Sequence, residues 1–147
     1  MIVVLDSGVA GALARAEPVP EFHTWLVGLI SRGRTVCLPE IVDYELRRAF
    51  LLERLTASIQ ALDQLPEVEC EFVPLTSQTM RRAAELWAGL RRSGQPTAAD
   101  HALDADCILA AQAQLYGEAA QRQVVIATTN VKHLSRMVDA KLWFEVT

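Results

Sequence analysis

Met1-Ile-Val-Val-Leu-Asp6 is an uninterrupted apolar run that ends in an acid. Such a run is typical of a strand that is buried on both faces of a parallel sheet. In open α/β sheets the ligand crevice lies at the carboxyl ends of the strands, so an acid placed like Asp6 is more often functional than structural. We therefore expect Asp6 to belong to a functional site.

Strand and helix patterns alternate along the rest of the chain. Apolar runs predict strands at Thr35 to Leu38, Glu71 to Leu75 and Val124 to Ala127, and an edge strand at Trp143 to Val146. The predicted helices are Ser7 to about Ala16, Phe22 to Ile30, Pro39 to about Leu65 as two helices or one kinked helix, Thr76 to Arg92, and Leu103 to Gly117. This alternation predicts an α/β fold with a central, mostly parallel sheet and helices on both faces.

Residues that are typical of helix N-termini predict where several helices begin. Ser7 and Thr76 are expected as N-caps, and Pro39 is expected as the first residue of its helix. Ser93 to Thr97 is predicted to be a loop. The chain shows no internal repeat and no linker, so we expect a single domain over residues 1–147.

Composition narrows the class of protein. The chain has 147 residues, of which 51% are hydrophobic, and no apolar run approaches the roughly 18 residues of a membrane span. The first strand meets Asp6 too soon for a secretion signal, so we expect a cytoplasmic protein. Cys37, Cys70 and Cys107 are odd in number and widely spaced, which favours core thiols over zinc or disulfides. A net charge of -4 argues against a generic basic nucleic-acid coat.

Two further acids interrupt apolar helix stripes. Glu45 lies in the stripe of Ile41, Ala49 and Leu52, and Asp106 lies in the stripe of Leu109, Ala110 and Ala113. Taken singly, Glu45 could pair with Arg48 or reach solvent, and Asp106 could be a first-turn acid that the helix dipole stabilises. A buried carboxylate costs several kcal/mol or more unless its charge is compensated, usually by a cation. Together with Asp6, the two acids indicate a divalent-metal site.

These acids and their surroundings resemble the PIN domain, the metal-dependent ribonuclease fold of VapC-type toxins from bacterial toxin–antitoxin modules. The resemblance covers nearly the whole chain and rests on four segments, which are Met1–Asp6, Leu38–Arg48, Leu103–Ala113 and Val124–Leu134. It implies a three-layer, Rossmann-like α/β fold and hydrolysis of RNA phosphodiester bonds with Mg²⁺ or Mn²⁺. It also implies that Asp6, Glu45 and Asp106 are the catalytic, metal-holding acids.

Two departures from the family pattern affect the expected site. Ser7-Gly8 stands where the family usually has Thr-Asn or Ser-Asn, so the hydroxyl is kept and the amide is lost. Asn130 and His133 stand near the place of a fourth acid, so we expect one metal position. Thr128 and Asn130 are then candidates for organising water or phosphate, although a plain turn explains Asn130 equally well. Asp104 is expected to be a helix cap or an acid just outside the metal ligands.

The resemblance also implies partners. VapC-like proteins form homodimers through helices and are inhibited by a small antitoxin whose tail enters the acidic groove. The helices around Trp25 and Phe50 are possible contact surfaces, though core burial explains these aromatics equally well. The candidate phosphate-binding residues are Arg47, Arg48, Arg81, Arg82, Arg91, Arg92 and Lys132. His101 is expected in the loop before the helix of Asp106.

Three alternatives are weighed against the nuclease. A haloacid-dehalogenase-like phosphatase needs a second acid where this chain has Gly8, and a response-regulator receiver needs an acceptor Asp where Phe72-Val73 runs into Pro74. Both alternatives are weak for these reasons. The strongest alternative is a catalytically weakened or inactive PIN-like module that binds RNA or a protein partner.

Overall fold

The computed structural model describes residues 1–94 and 100–147, and it describes side chains in the second range from residue 103 onward. Its strands are β1 (Ile2–Leu5), β2 (Thr35–Pro39), β3 (Glu71–Val73), β4 (Val124–Thr128) and β5 (Ala140–Leu142). They form one sheet in the order β3-β2-β1-β4-β5, and every neighbouring pair is parallel. The predicted α/β fold with a parallel sheet is confirmed.

Six α-helices connect and cover these strands in the described residues. They are α1 (Ser7–Leu13), α2 (Pro20–Ser31), α3 (Glu40–Leu52), α4 (Thr56–Val68), α5 (Ser77–Arg92) and α6 (Asp100–Ala120). All four residues of β1 are buried, and consecutive side chains of a strand point to opposite faces. Both faces of the sheet are therefore covered at its centre. None of the described helices is long and apolar enough to cross a bilayer.

The main core lies on both sides of β1. Its members include all of β1, most of β2 and β4, and the inner faces of the helices that pack on them. Cys37, Cys70 and Cys107 are buried and free, which confirms their prediction as core thiols. Burial raises the pKa of Cys37 and Cys70 to about 12, so both thiols stay protonated.

The prediction for the last strand is wrong. The edge strand is Ala140–Leu142, and Trp143–Glu145 forms a 3-10 turn. The Trp143 ring stacks on Phe22 at 4.2 Å between centroids and meets Trp25 edge to face at 5.7 Å. The Trp25 indole also donates to the carbonyl of Val146 at 2.8 Å. This aromatic packing turns the chain out of the sheet after Leu142.

Trp25 and Phe50, which mark the two possible contact surfaces, both lie against the core. Trp25 is engaged by the C-terminal segment, and both Trp25 and Phe50 pack partly buried against the main core. Core packing therefore accounts for these two aromatics. Arg54, in the left-handed region at φ 57°, separates α3 from α4, so the segment from Pro39 contains two helices and not one kinked helix.

Several predicted helix starts are corrected. Asp6, and not Ser7, is the N-cap of α1, and α1 already ends at Leu13. Pro39 is extended at φ -70° and ψ 144°, so it ends β2 and precedes the first residue of α3. Thr76 is confirmed as the cap of α5, because its hydroxyl accepts from the Thr79 amide at 3.1 Å.

The start of α6 also differs from the prediction. The helix begins at Asp100, whereas the sequence pattern indicated Leu103. His101 therefore lies in the first turn of the helix and not in a preceding loop, and Asp104 is not a cap. The predicted loop at Ser93 to Thr97 lies outside the described residues from position 95 onward.

Candidate metal centre

Asp6 lies at the point where the chain direction across the sheet reverses. The chain passes from β1 outward through β2 to β3, and then returns to β4 on the other side of β1. Ligands of open α/β sheets bind at such a switch point, outside the carboxyl ends of the strands. Asp6 directly follows β1, and its amide donates to the carbonyl of Ala127 in β4 at 3.1 Å. The topology thus places Asp6 in the expected crevice.

Both oxygens of the Asp6 carboxylate are held by neighbouring donors. Oδ1 accepts from the Ser7 amide at 2.7 Å and from the Ser7 hydroxyl at 3.4 Å. Oδ2 accepts from the hydroxyl of Thr128 at 2.5 Å, and Thr128 is completely buried at the end of β4. Hydrogen bonds to an ionised carboxylate are strong, so these donors fix its orientation. Ser7 and Thr128 therefore position Asp6.

Glu45 approaches the same crevice from α3. The helix is anchored by buried Ile41 and Val42, and Glu45 lies one turn further along, partly buried. The pKa of Glu45 is raised mainly by burial and then by the negative charge of Asp6, while Arg48 opposes the shift. A charge effect of Asp6 on Glu45 requires that the two carboxylates lie near each other.

Asp106 approaches the crevice from α6. Its pKa is raised from 3.8 to about 6, first by burial and then by the negative charges of Asp6 and Glu45. Asp6 therefore acts electrostatically on both other acids, and Glu45 acts on Asp106. Carboxylates gathered in this way repel one another, and a cation relieves the repulsion.

The donor set fits a hard divalent cation that keeps part of its water shell. Carboxylate oxygens are the protein ligands that Mg²⁺ prefers, and Mg²⁺ is usually bound by one or two carboxylates with water in the other positions. Within residues 1–94 and 103–147, no three side chains of Asp, Glu, His or Cys are arranged to hold one ion together. In this structure Asp6, Glu45 and Asp106 therefore do not form a ready-made set of three protein ligands.

Of the other predicted site residues, Asn130 is bonded within a turn and Asp104 lines a groove between α5 and α6. The Asn130 side-chain oxygen accepts from the Lys132 backbone amide at 3.1 Å, and the Asn130 backbone amide donates to the Thr128 hydroxyl at 3.0 Å. This is the turn that was the alternative explanation for Asn130. Asp104 is exposed and lines a groove of about 350 Å³ between α5 and α6, which also contains Trp87.

The close approach of Thr129 to the backbone of Gly8 explains why this position has no side chain. A Cβ atom added at Gly8 would lie 2.4 Å from the hydroxyl oxygen of Thr129 and 3.1 Å from its methyl carbon. The start of α1 is thus pressed against the segment that follows β4. An Asn at position 8 could not fit unless Thr129 moved, which gives a physical reason for the departure from the family pattern.

The sequence pattern did not single out Gln112, which links the elements that carry two of the acids. Gln112 lies on α6 and is 1% exposed. Its side-chain oxygen accepts from the Ile41 amide at 3.2 Å, and its side-chain nitrogen donates to the Val73 carbonyl at 2.7 Å. The start of α3, which no side chain of its own caps, is therefore tied to α6. The available signal was a single amide side chain within the apolar stretch Leu109–Ala113.

Comparison with known proteins places this architecture among characterised folds. The model of the PIN domain family matches residues 3–137, and no curated protein gives a significant match. The structure of VapBC2 from Rickettsia felis, bound to a DNA fragment from their promoter, is 18% identical with a TM-score of 0.71, covering 97% of this chain and 99% of that chain. FitAcB from Neisseria gonorrhoeae is 20% identical with a TM-score of 0.70, covering 98% and 99%. VapBC-1 from nontypeable Haemophilus influenzae is 20% identical with a TM-score of 0.69, covering 98% and 99%.

Proposed function

Since the chain belongs to the PIN domain family, we propose that it is a metal-dependent endoribonuclease that hydrolyses RNA phosphodiester bonds. The observation that carries the proposal is that burial, and then the charge of Asp6 at the switch point of the sheet, raises the pKa values of both Glu45 and Asp106. Clustered acids with raised pKa values in a crevice are a common property of functional sites. Asp6 follows β1, Glu45 lies on α3 and Asp106 lies on α6, so the three acids come from distant parts of the chain.

The chain's own residues prepare the site for phosphodiester hydrolysis. Mg²⁺ or Mn²⁺, when bound, supplies activation of water and neutralises charge on the scissile phosphate. Thr128 and Ser7 hold the Asp6 carboxylate in one orientation at the carboxyl end of β1. Glu45 and Asp106 must be ionised to act as ligands. Because the pKa of Asp106 is raised to about 6 in the metal-free protein, a cation must displace its proton at lower pH, so Mn²⁺ affinity should increase as pH rises from about 5 to 7.

Cleavage of single-stranded RNA tests this proposal directly. The purified chain should cleave RNA with MnCl₂ or MgCl₂ and should lose this activity in EDTA. Asp6→Asn, Glu45→Gln and Asp106→Asn should each reduce cleavage by two orders of magnitude or more, whereas the matched control Asp104→Asn should retain it. Cleavage that survives EDTA or Asp6→Asn would contradict the proposal. A DNA strand of the same sequence distinguishes a ribonuclease from a general nuclease.

We further propose that the protein is the toxin of a VapBC-type toxin–antitoxin pair, acting in the cytoplasm as a homodimer that a small antitoxin inhibits. The fold similarity to VapBC structures over nearly the whole chain supports this assignment. Exposed leucines at the end of α3 and just after it support a protein contact, and these are Leu51, Leu52 and Leu55.

Expression in bacteria tests the toxin assignment. Expression of the chain alone should stop growth, and co-expression of a small protein encoded next to it should restore growth. The Asp6→Asn variant is the control, because it should permit growth without the second protein. Normal growth with active chain, confirmed by cleavage in the purified protein, would contradict the toxin assignment while leaving the ribonuclease proposal standing.

A PIN-like module that binds RNA or protein without cleaving is the second candidate function. The observation that favours it concerns Asn130, which stands near the place where the family has a fourth acid. The side-chain oxygen of Asn130 is already bonded to the Lys132 amide. RNA binding without cleavage in Mn²⁺ would favour this module. Cleavage that depends on Asp6 would exclude it.

A further inference from the structure

The structure separates the candidate phosphate-binding arginines. Arg47 makes ion pairs with Asp43 at 2.8 Å and with Asp63 at 2.6 Å, so its charge is already compensated. Arg82 pairs with Glu118 at 2.8 Å, at the far end of α6. These two residues are engaged in holding helices together. They are therefore poor candidates for binding a substrate phosphate.

Arg48 is placed differently. It is exposed, and among the described residues no acid lies within ion-pair distance of it. Its guanidinium lies over the ring of Tyr44, 5.1 Å from the centroid. Arg48 is also one helical turn beyond Glu45, and positions three apart on a helix are neighbours. Its charge acts on Glu45 accordingly. The arginine thus stands at the border of the three acids.

Tyr44 provides an aromatic surface at the same border. Its side chain is 55% exposed, although α3 buries Ile41 and Val42 on its inner face. Tyr44 immediately precedes Glu45 and shares the outer face of α3 with Arg48, four residues later. An exposed aromatic ring next to a cation is the combination that binds single-stranded nucleic acid, since a base stacks on the ring and the cation meets a phosphate.

We propose that Tyr44 and Arg48 form a nucleotide subsite beside the acidic cluster, in which a base of the RNA stacks on the face of the Tyr44 ring that Arg48 leaves open and Arg48 binds the phosphate next to the one that is cleaved. This inference rests on the proposed ribonuclease function. It gives the acidic crevice a means of attracting a polyanion, because the acids alone repel RNA. It also predicts tolerant recognition, since every base has a face that can stack.

Binding of a short, labelled, single-stranded RNA tests the subsite without interference from cleavage. Binding is measured by fluorescence anisotropy in Asp106→Asn protein, with Tyr44→Ala or Arg48→Ala added. Tyr44→Ala should weaken binding roughly 5- to 100-fold, and Tyr44→Phe should restore most of it because the ring is kept. Arg48→Ala should weaken binding and reduce the slope of log affinity against log salt by about one, whereas Arg48→Lys should keep the slope.

A matched control removes an equal charge at the opposite end of the sheet. Arg122 bonds to Thr35 and to the carbonyl of Met1, at the amino ends of β1 and β2. Arg122→Ala should therefore leave RNA affinity within about twofold of the parent protein. In active protein, Tyr44→Ala should raise KM for RNA much more than it lowers kcat, because it removes a binding contact and not a reacting group.

The binding results either support or overturn the proposed subsite. RNA binding that is unchanged in Tyr44→Ala and Arg48→Ala overturns it even when the parent protein cleaves RNA. Failure of the parent protein to bind RNA overturns it together with the ribonuclease proposal. Binding without cleavage defeats only the ribonuclease proposal, and the variant series then decides the subsite by itself. Loss of self-association with intact RNA binding would assign Tyr44 and Arg48 to a protein contact, which also overturns the subsite.

Discussion

Replacing Asp106 by Asn should stabilise the metal-free protein at neutral pH while it removes RNA cleavage. The pKa of Asp106 rises from 3.8 to about 6 on folding, because burial and the charges of Asp6 and Glu45 disfavour its ionised form. A group with a raised pKa in the folded state favours folding below its unfolded pKa. This contribution is lost as pH rises through the folded pKa. Above pH 6 the charged carboxylate of Asp106 therefore destabilises the folded state.

The size of the effect follows from the shift in pKa. A difference of about 2 pKa units at roughly 1.4 kcal/mol per unit gives an upper limit of about 3 kcal/mol. Asp106 is only partly buried, so solvent screening reduces the expected gain to about 1–2 kcal/mol. Asn keeps the shape of the side chain without its charge. The free energy of unfolding should therefore increase by that amount at pH 8 and hardly change at pH 4.

Urea denaturation in EDTA at pH 4 and pH 8 measures this difference. Asp104→Asn is the matched control, since Asp104 lies two residues away on the same helix and is exposed. Its unfolding free energy should stay within about 0.5 kcal/mol of the parent protein. A loss of stability in Asp106→Asn at pH 8, or the same gain at pH 4 and pH 8, would show that electrostatic repulsion does not dominate at this position.

Three further substitutions test the supports of the site. Thr128→Val keeps nearly the same side-chain shape but removes the buried hydrogen bond to Asp6. It should lower the free energy of unfolding by about 1–2 kcal/mol, measured by urea denaturation. It should also lower the rate of RNA cleavage at least about tenfold, measured by RNA hydrolysis. Gln112→Leu leaves the Ile41 amide and the Val73 carbonyl without their side-chain partner, so it should lower the free energy of unfolding by about 1–4 kcal/mol. Titration calorimetry should also show weaker Mn²⁺ binding. Unchanged stability would show that Gln112 does not bridge these elements. Gly8→Ala should lower the thermal midpoint, and Thr129→Gly should reverse that loss if the contact with Thr129 is its cause.

The sequence predicted the central strands β1 and β4 well because their residues are almost all buried. The runs Ile2–Leu5 and Val124–Ala127 are apolar without interruption, so the local sequence pattern and the burial in the fold predict the same element. Asp6, at the end of the first run, could be assigned to the crevice for the same reason. The structure brings Glu45 and Asp106 within electrostatic reach of Asp6, and their role as metal ligands stays a prediction.

Features that depend on distant partners could not be predicted from local patterns. Trp143 reads as a strand residue by composition, but stacking on Phe22, far away in the chain, ends the strand before it. Gln112 looks like an ordinary polar helix residue until its bonds to Ile41 and Val73 are known. Arg48 likewise could not be distinguished from Arg47 by its position alone, because only the fold shows which of the two has acidic partners.

Asp6 serves two purposes at once, as the N-cap of α1 and as an acid of the crevice. Asn is as good an N-cap as Asp, so exchanging one for the other removes the charge but keeps the start of the helix intact. At this position, inactivation and misfolding are therefore separable events. A lineage that needs to silence the protein could do so here by a single conservative replacement and would still produce a folded chain, free to occupy whatever partners the active form binds.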